Sequence, residues 1–253
     1  MSSTVERARR RYKKPPVSQV ICEFQFVGVS AWDWTIPGLI YQEIGSAFPE
    51  KRQEKGVEVR ITPHEEKVEQ VLPSTLTKMQ FLNASKSAMV QIGPDLLAVN
   101  ILSGYPGWEG FRDLVQGQFN IYNRIARPVG FKRIGLRYIN RIQFSGPRIE
   151  LTDYFNYYPQ LPASIEQVHG PFSMQVTHFY DDGRDAMSLR MGNALPLTPD
   201  LVIVLDLDYY LQRQKSVELV DGRSWIEQAH DRVETMFEAC VTDGARELFE
   251  VIS

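Results

Sequence analysis

Trp108, Phe111, Leu114, Val115, Phe119, Tyr122 and Ile125 recur at intervals of three and four along an otherwise polar stretch. That spacing commits the segment to a long amphipathic helix, and an apolar stripe of this length has to be covered by something. The preceding sequence supplies the cover. Lys78 to Ala84, Ala88 to Ile92 and Leu96 to Leu102 alternate in polarity and are separated only by the turns Ser85-Lys86-Ser87 and Gly93-Pro94-Asp95. Hairpins this close imply an antiparallel sheet with one apolar face, and that face and the helix stripe complete each other.

The same order of elements runs through the chain twice. The first half begins with a strand over Val20 to Val27 that buries Val20, Cys22, Phe24 and Phe26. A helix follows, opened by Pro37 and ended by Pro49, with Leu39, Ile40, Ile44 and Phe48 as its stripe. Val57 to Ile61 is a short edge-strand candidate inside a polar connection. In the second half Phe131 to Phe144 is a long strand and Leu151 to Tyr157 a short helix. Phe172 to Phe179, Ala186 to Met191 and Leu201 to Tyr209 are three more strands, the first two joined by the turn YDDGRD. A final helix over Trp225 to Phe249 carries Ser224 and Glu227 as a capping box. Its stripe is Ile226, Ala229, Val233, Met236, Phe237, Cys240, Val241 and Leu248, and Gly244 weakens its last turns.

The expected fold class is therefore α+β, built from duplicated strand-helix-strands-helix units. An antiparallel sheet grips two long helices in a helix-grip or saddle-like arrangement. The expected organisation is a basic flexible tail over 1–14, a first α+β half over 15–129 and a second over 130–253, the halves packed as one compact unit.

A chain of 253 residues with 43 % hydrophobic residues buries enough surface to need neither disulfides nor a structural metal. Its longest apolar run, Leu201 to Leu205, is far too short for a membrane helix, and no apolar signal-peptide core opens the chain. A cytoplasmic location without membrane association is expected. Cys22 and Cys240 fall on apolar faces and read as buried small residues. A net charge of -3 gives no global case for nucleic acid. The tail disagrees: Arg7, Arg9, Arg10, Arg11, Lys13 and Lys14 suit a phosphate backbone electrostatically.

The strand GLRYINRI, Gly135 to Ile142, has two different faces. Leu136, Tyr138 and Ile142 share one parity, while Arg137 and Arg141 share the other, with Arg133 in line. Glu23 and Gln25 oppose the buried set of the first strand, and Asp206 and Asp208 alternate with Leu205 and Leu207. If these strands are neighbours, one sheet face presents guanidiniums and carboxylates together. They either neutralise one another as cross-strand pairs or form a groove for an anionic ligand or a protein, because guanidinium grips phosphate and carboxylate in a two-pronged way.

The candidate ligand-binding set is Arg137, Arg141, Glu23, Asp206, Asp208, Tyr138 and Asn140. Asp206 and Asp208 also have the spacing of a carboxylate pair for a divalent ion, as in a metal-dependent nucleotide or nucleic-acid enzyme, with Glu23 as a third ligand. Trp32 and Trp34 in SAWDW, and Tyr157 and Tyr158 before Pro159, are candidates for a partner surface or for plugs at the ends of the sheet. His64, His169, His178 and His230 show no metal-ligand spacing, and no GxSxG elbow occurs. No catalytic residue, metal or cofactor is assigned. The expectation is a non-enzymatic binding or regulatory protein with a protein partner or a second copy of itself. A small anionic ligand, or nucleic acid held by the tail, are the alternatives.

Five segments resemble, in order from Pro15 to Phe249, an uncharacterised, sporadically distributed bacterial protein family. They are PPVSQVICEFQF, WDWTIPGLIYQEIGSAFPE, QIGPDLLAVNILSGYPGWEGF, RIGLRYINRI and WIEQAHDRVETMFEACVTDGARELF, of which GPDLLAVN, YPGW and GLRYINRI are the most specific parts. The resemblance implies no catalytic residue and no substrate. Patchy occurrence fits mobile genes such as toxin-antitoxin or phage-defence cassettes, which implies a binding or regulatory component working beside an effector. The basic head before Pro15 lies outside the likeness.

Overall fold

The computed structural model describes residues 10–29, 32–56, 75–162, 164–165, 170–194 and 200–252. Its strands are β1 (Val17–Val29), β2 (Glu50–Gly56), β3 (Thr75–Leu82), β4 (Ala88–Gly93), β5 (Leu96–Ile101), β6 (Pro128–Phe144), β7 (Ser173–Tyr180), β8 (Asp185–Asn193) and β9 (Leu201–Leu211). Among the described residues they form one sheet in the order β2-β3-β4-β5-β1-β6-β9-β8-β7, antiparallel at every junction. The helices are α1 (Ile36–Ile44), α2 (Gly107–Ala126), α3 (Leu151–Tyr154), α4 (Gly222–Cys240) and α5 (Asp243–Phe249). The α+β class and the antiparallel sheet are as expected. None of the described helices is long and apolar enough to cross a membrane.

Both long helices, α2 and α4, lie on one face of the sheet and share a single buried cluster with it. Phe24 and Phe26 of β1 and Phe131 of β6 meet the stripe of α2. The ring of Phe119 sits 5.0 Å from Phe24, and that of Tyr122 sits 4.7 Å from Phe26. Burying each such ring contributes about 1.5–3 kcal/mol. Trp225, Ile226, Ala229 and Val233 bring α4 onto β9 and β6.

A buried carboxylate fixes the start of α4. Asp185 of β8 is fully buried and accepts hydrogen bonds from the Trp225 indole at 3.0 Å, the Tyr209 hydroxyl at 3.0 Å and the Arg184 guanidinium at 2.5 Å. Each donor comes from a different piece of the fold, so one side chain ties helix, sheet and turn together.

The last helix departs from the expectation at both ends. It begins at Gly222, so Ser224 lies inside it and donates to the Asp221 carbonyl instead of capping. It stops at Cys240, because Val241 turns extended to bridge Phe155, and Thr242 then caps the separate α5. Gly244 is needed there for space: a Cβ on it would meet the Asp153 carbonyl oxygen at 2.5 Å. Two stripe residues also fail to bury, Leu39 at 46 % and Leu248 at 43 % exposure. Glu50–Gly56, polar throughout, is a strand by backbone pairing with β3 alone. Val57 to Ile61 lies outside the described residues.

Of the basic tail expected over 1–14, only 10–14 falls among the described residues, and this part is tied down. Tyr12 bridges Val251, the Lys13 and Lys14 amides donate to the Glu250 and Phe249 carbonyls at 2.9 Å, and the Ile252 amide donates to the Arg11 carbonyl at 2.8 Å. The Lys13 and Lys14 ammonium groups pair with the Glu250 carboxylate. The two ends of the described chain thus form a clasp.

Candidate functional site

The strands bearing the charged residues are indeed neighbours, with β6 between β1 and β9. Their open-face side chains engage one another. Arg137 donates through Nε to Asp206 Oδ1 at 2.8 Å and through Nη2 to Oδ2 at 2.6 Å. Arg133 reaches Glu23 at 3.3 Å and Asp208 at 3.1 Å, and Arg190 adds a longer contact to Asp206 at 3.7 Å. Gly135 makes this possible, because the Arg133 guanidinium lies over it where a Cβ would stand. Its other face covers the Tyr210 ring at 4.9 Å.

Charge neutralisation of this kind changes what the face can do. Asp206 is 6 % exposed with both oxygens on Arg137, so a divalent ion would have to displace a two-pronged guanidinium. The one trio of described residues with possible ligand atoms within 4.8 Å of one another is His230, Asp231 and Glu234 on α4, and it includes neither Asp206 nor Asp208. Burial raises the Asp208 carboxyl above its usual pKa against the pull of Arg133 and Arg137, while the hydrogen bonds to Asp206 raise that of Arg137. Arg141 is exposed and makes no ion pair among the described residues.

Tyr138 and Asn140 belong elsewhere. Their parity turns them to the helix side, 6 % and 2 % exposed, where they floor a cavity of about 570 Å³. The candidate set therefore divides between the two faces of the sheet. The cavity lies between the start of α2, the middle of α4 and β6 with β9, and its apolar wall is Trp108, Leu207, Val233 and Phe237. Trp108 lies flat on His230, ring centres 4.0 Å apart, and its indole N–H is spent on Glu227 at 3.0 Å.

Polar chemistry on the floor comes from two hydroxyls. Tyr105 and Tyr138 stand 3.0 Å apart, oxygen to oxygen. Burial raises the pKa of both phenols away from neutral pH, that of Tyr105 to about 12 and that of Tyr138 well above its ordinary value, and the Glu234 carboxylate pushes each the same way. Two protonated phenols in one hydrogen bond leave one O–H over, so the pair offers a single donor. Asn140 is held in place by donating to the Leu205 carbonyl at 3.1 Å.

The clasp roofs this space. Arg10 and Tyr12 both reach Glu238, at 3.0 Å and 2.5 Å, and Arg11 lies 3.8 Å from Glu109 at the first turn of α2. Tyr12 also packs edge-on against Phe249, 5.5 Å between centres. The charges of Arg10 and Arg11 are thus matched to carboxylates that line the cavity.

Among the aromatic candidates, Trp32, Tyr157 and Tyr158 pack against the core, and Trp34 remains 42 % exposed with its ring edge-on to Trp32 at 6.0 Å. Both cysteines are free and buried, far from any role as nucleophiles, since burial pushes the Cys22 thiol well up and that of Cys240 up to about 12. A scan against protein-family models and a search of curated proteins found no match to the chain.

Proposed function

We propose that this chain is a binding protein whose ligand is a small, largely apolar molecule carrying one hydrogen-bond acceptor, held in the cavity between the sheet and its two long helices. The observation that carries this reading is the Tyr105–Tyr138 hydroxyl pair in a cavity of about 570 Å³ whose lining is mostly apolar, with Glu234 and Glu238 among its charged members. Drug-sized ligands occupy cavities of roughly 300–1,000 Å³ lined by aromatic and aliphatic groups with a few fixed polar ones. Tyrosines kept protonated supply hydrogen bonding, and a holding role asks for no more. A ligand-responsive component of this kind fits the regulatory part that the family resemblance implies.

The test is a titration with anilinonaphthalene sulfonate, which fluoresces in apolar sites. Unsubstituted protein is expected to bind it saturably at one site, and Val233→Trp, which fills the cavity, to weaken binding about tenfold or more. Binding that survives Val233→Trp in a folded variant, or no saturable binding by the unsubstituted chain, overturns the reading.

A second reading keeps the charged sheet face as a partner surface, and Arg141, exposed and without an ion pair among the described residues, favours it. Arg141→Ala is then expected to weaken partner association without moving the melting temperature. A binding protein unaffected by that change has its partner elsewhere.

We also infer that the halves share one plan, in which β1, β5, β4, β3 and α2 correspond to β6, β9, β8, β7 and α4 and the sheet grips the helices as a saddle. The strand order supports this, reading β1-β5-β4-β3 outward on one side of the central junction and β6-β9-β8-β7 on the other. Superposing one half on the other tests it: failure of α2 to fall on α4 removes it.

A further inference from the structure

We propose that β7 is the surface through which two copies of this chain join, edge to edge, into one continuous antiparallel sheet. Among the described residues β7 pairs with β8 alone and ends the sheet. Its outward amides and carbonyls face no described strand. An eight-residue edge in that state is a template for another strand unless something blunts it.

The opposite end of the sheet shows what blunting looks like. β2 reads Glu-Lys-Arg-Gln-Glu-Lys-Gly, with Lys51, Arg52 and Glu54 exposed, and its pairing with β3 is broken by a register shift. β7 reads Ser-Met-Gln-Val-Thr-His-Phe-Tyr. It contains no Lys, Arg, Asp, Glu, Pro or Gly, and its register with β8 is unbroken. Val176 is 50 % exposed on the helix side of this strand and Phe179 57 % exposed on the open side. In the correspondence inferred above, β7 matches β3, and β3 has its outer side covered by β2.

Charge argues for a second copy as the occupant. A twofold axis perpendicular to the sheet sets the residue at the axis against its own symmetry mate and pairs the residues on either side of it with one another, so a charge near the axis would meet its own sign. β7 brings no carboxylate, ammonium or guanidinium to such an axis. A partner of different sequence is selected by complementary charges, and β7 offers none to select with. The same axis keeps the helix layers of both copies on one side and brings open-face Gln175, Thr177 and Phe179 against the same set. Gln175 is already held by Arg190 at 3.0 Å and Ser188 at 3.1 Å, which lowers the entropy lost on pairing.

Sedimentation velocity on the full chain across the micromolar range is the test. The unsubstituted chain is expected to be a dimer, and Val176→Lys, which opposes like charges across the axis, to raise the dissociation constant about tenfold or more, with the two chains melting at the same temperature once diluted to monomers. A monomer at all these concentrations, or a dimer indifferent to Val176→Lys, overturns the proposal. Hydrogen exchange on the unsubstituted chain reads the same surface without a substitution. On dilution the β7 amides are expected to lose protection while those of β6 keep theirs, and β7 protection independent of concentration overturns it. Anilinonaphthalene sulfonate binding by Val176→Lys is expected to match the unsubstituted chain, so failure here leaves the cavity reading standing.

Discussion

Arg137 and Asp206 pair diagonally across β6 and β9. The residue directly opposite Arg137 is Asp208, and the one opposite Asp206 is Ile139. Arg137 passes over its direct neighbour to take both oxygens of the next carboxylate, and Asp208 is left to Arg133, which reaches it across Gly135. Each aspartate thus has one main guanidinium, and the arrangement locks the register of three strands.

Removing one member of the diagonal pair leaves the other short of a partner. Arg137→Ala is expected to destabilise the fold by about 1–3 kcal/mol, between the values for an exposed and a fully buried pair, because Arg137 is one third exposed and Arg190 stands by. Urea unfolding measures this. A loss below a few tenths of a kcal/mol would show that the pair contributes nothing to stability.

Asp208 gives a pH signature of definite sign. Its carboxyl pKa is raised in the fold above the ordinary 3.8, so between the two values the folded chain keeps a proton that the unfolded chain has released. Stability contributed by this group falls as pH rises through that window. Asp208→Asn removes the fall, and its stability relative to the parent is expected to improve as pH climbs through it. Melting temperatures measured from below 3.8 upward check the direction, and a decline in the variant's relative stability contradicts it.

Asp185→Ala strands a buried phenol and a buried indole N–H at one stroke. The expected cost is about 3–5 kcal/mol, enough to remove much of the stability of a single-core protein. Thermal unfolding followed by tryptophan fluorescence reads it directly, since Trp225 reports the site.

Deleting residues 1–14 removes Arg10, Arg11 and Tyr12 from the cavity rim. The association rate of anilinonaphthalene sulfonate is expected to rise in stopped-flow measurements. The rate for the full chain is expected to rise with salt, as screening loosens the ion pairs of residues 10–14, the strap that the clasp lays over the cavity. Acid is expected to loosen it too: Lys14 and Lys13 hold the Glu250 carboxyl below its usual pKa, so its contribution is present above the ordinary glutamate range and fades as pH falls. Equal rates for both chains would deny the strap any role in access.

Much of the sheet was legible because alternation declares which side of a strand is buried, and β6 declared it most openly. Tyr138 and Asn140 already had the parity of Leu136 and Ile142, so their position on the helix side followed from the same rule that turned Arg137 away. The cavity was not legible, since it arises where the strap, the first turn of α2 and the middle of α4 meet, and no local pattern encodes that meeting. β2 escaped notice for another reason: EKRQEKG has no apolar residue to alternate, and only an adjacent strand makes it one. Ser224 and Glu227 spelled a capping box that the chain bypassed by starting its helix at Gly222.

β1 is early in the sequence and central in the sheet, with Val20 beside Ile101 on one side and Tyr138 on the other. During synthesis this strand has no second neighbour until most of β6 has emerged, and such distant pairing makes for slow folding. A fragment ending near residue 129 would leave β1, whose Val20, Cys22, Phe24 and Phe26 are all buried, with a bare flank, so the first half is expected not to fold when cut away there.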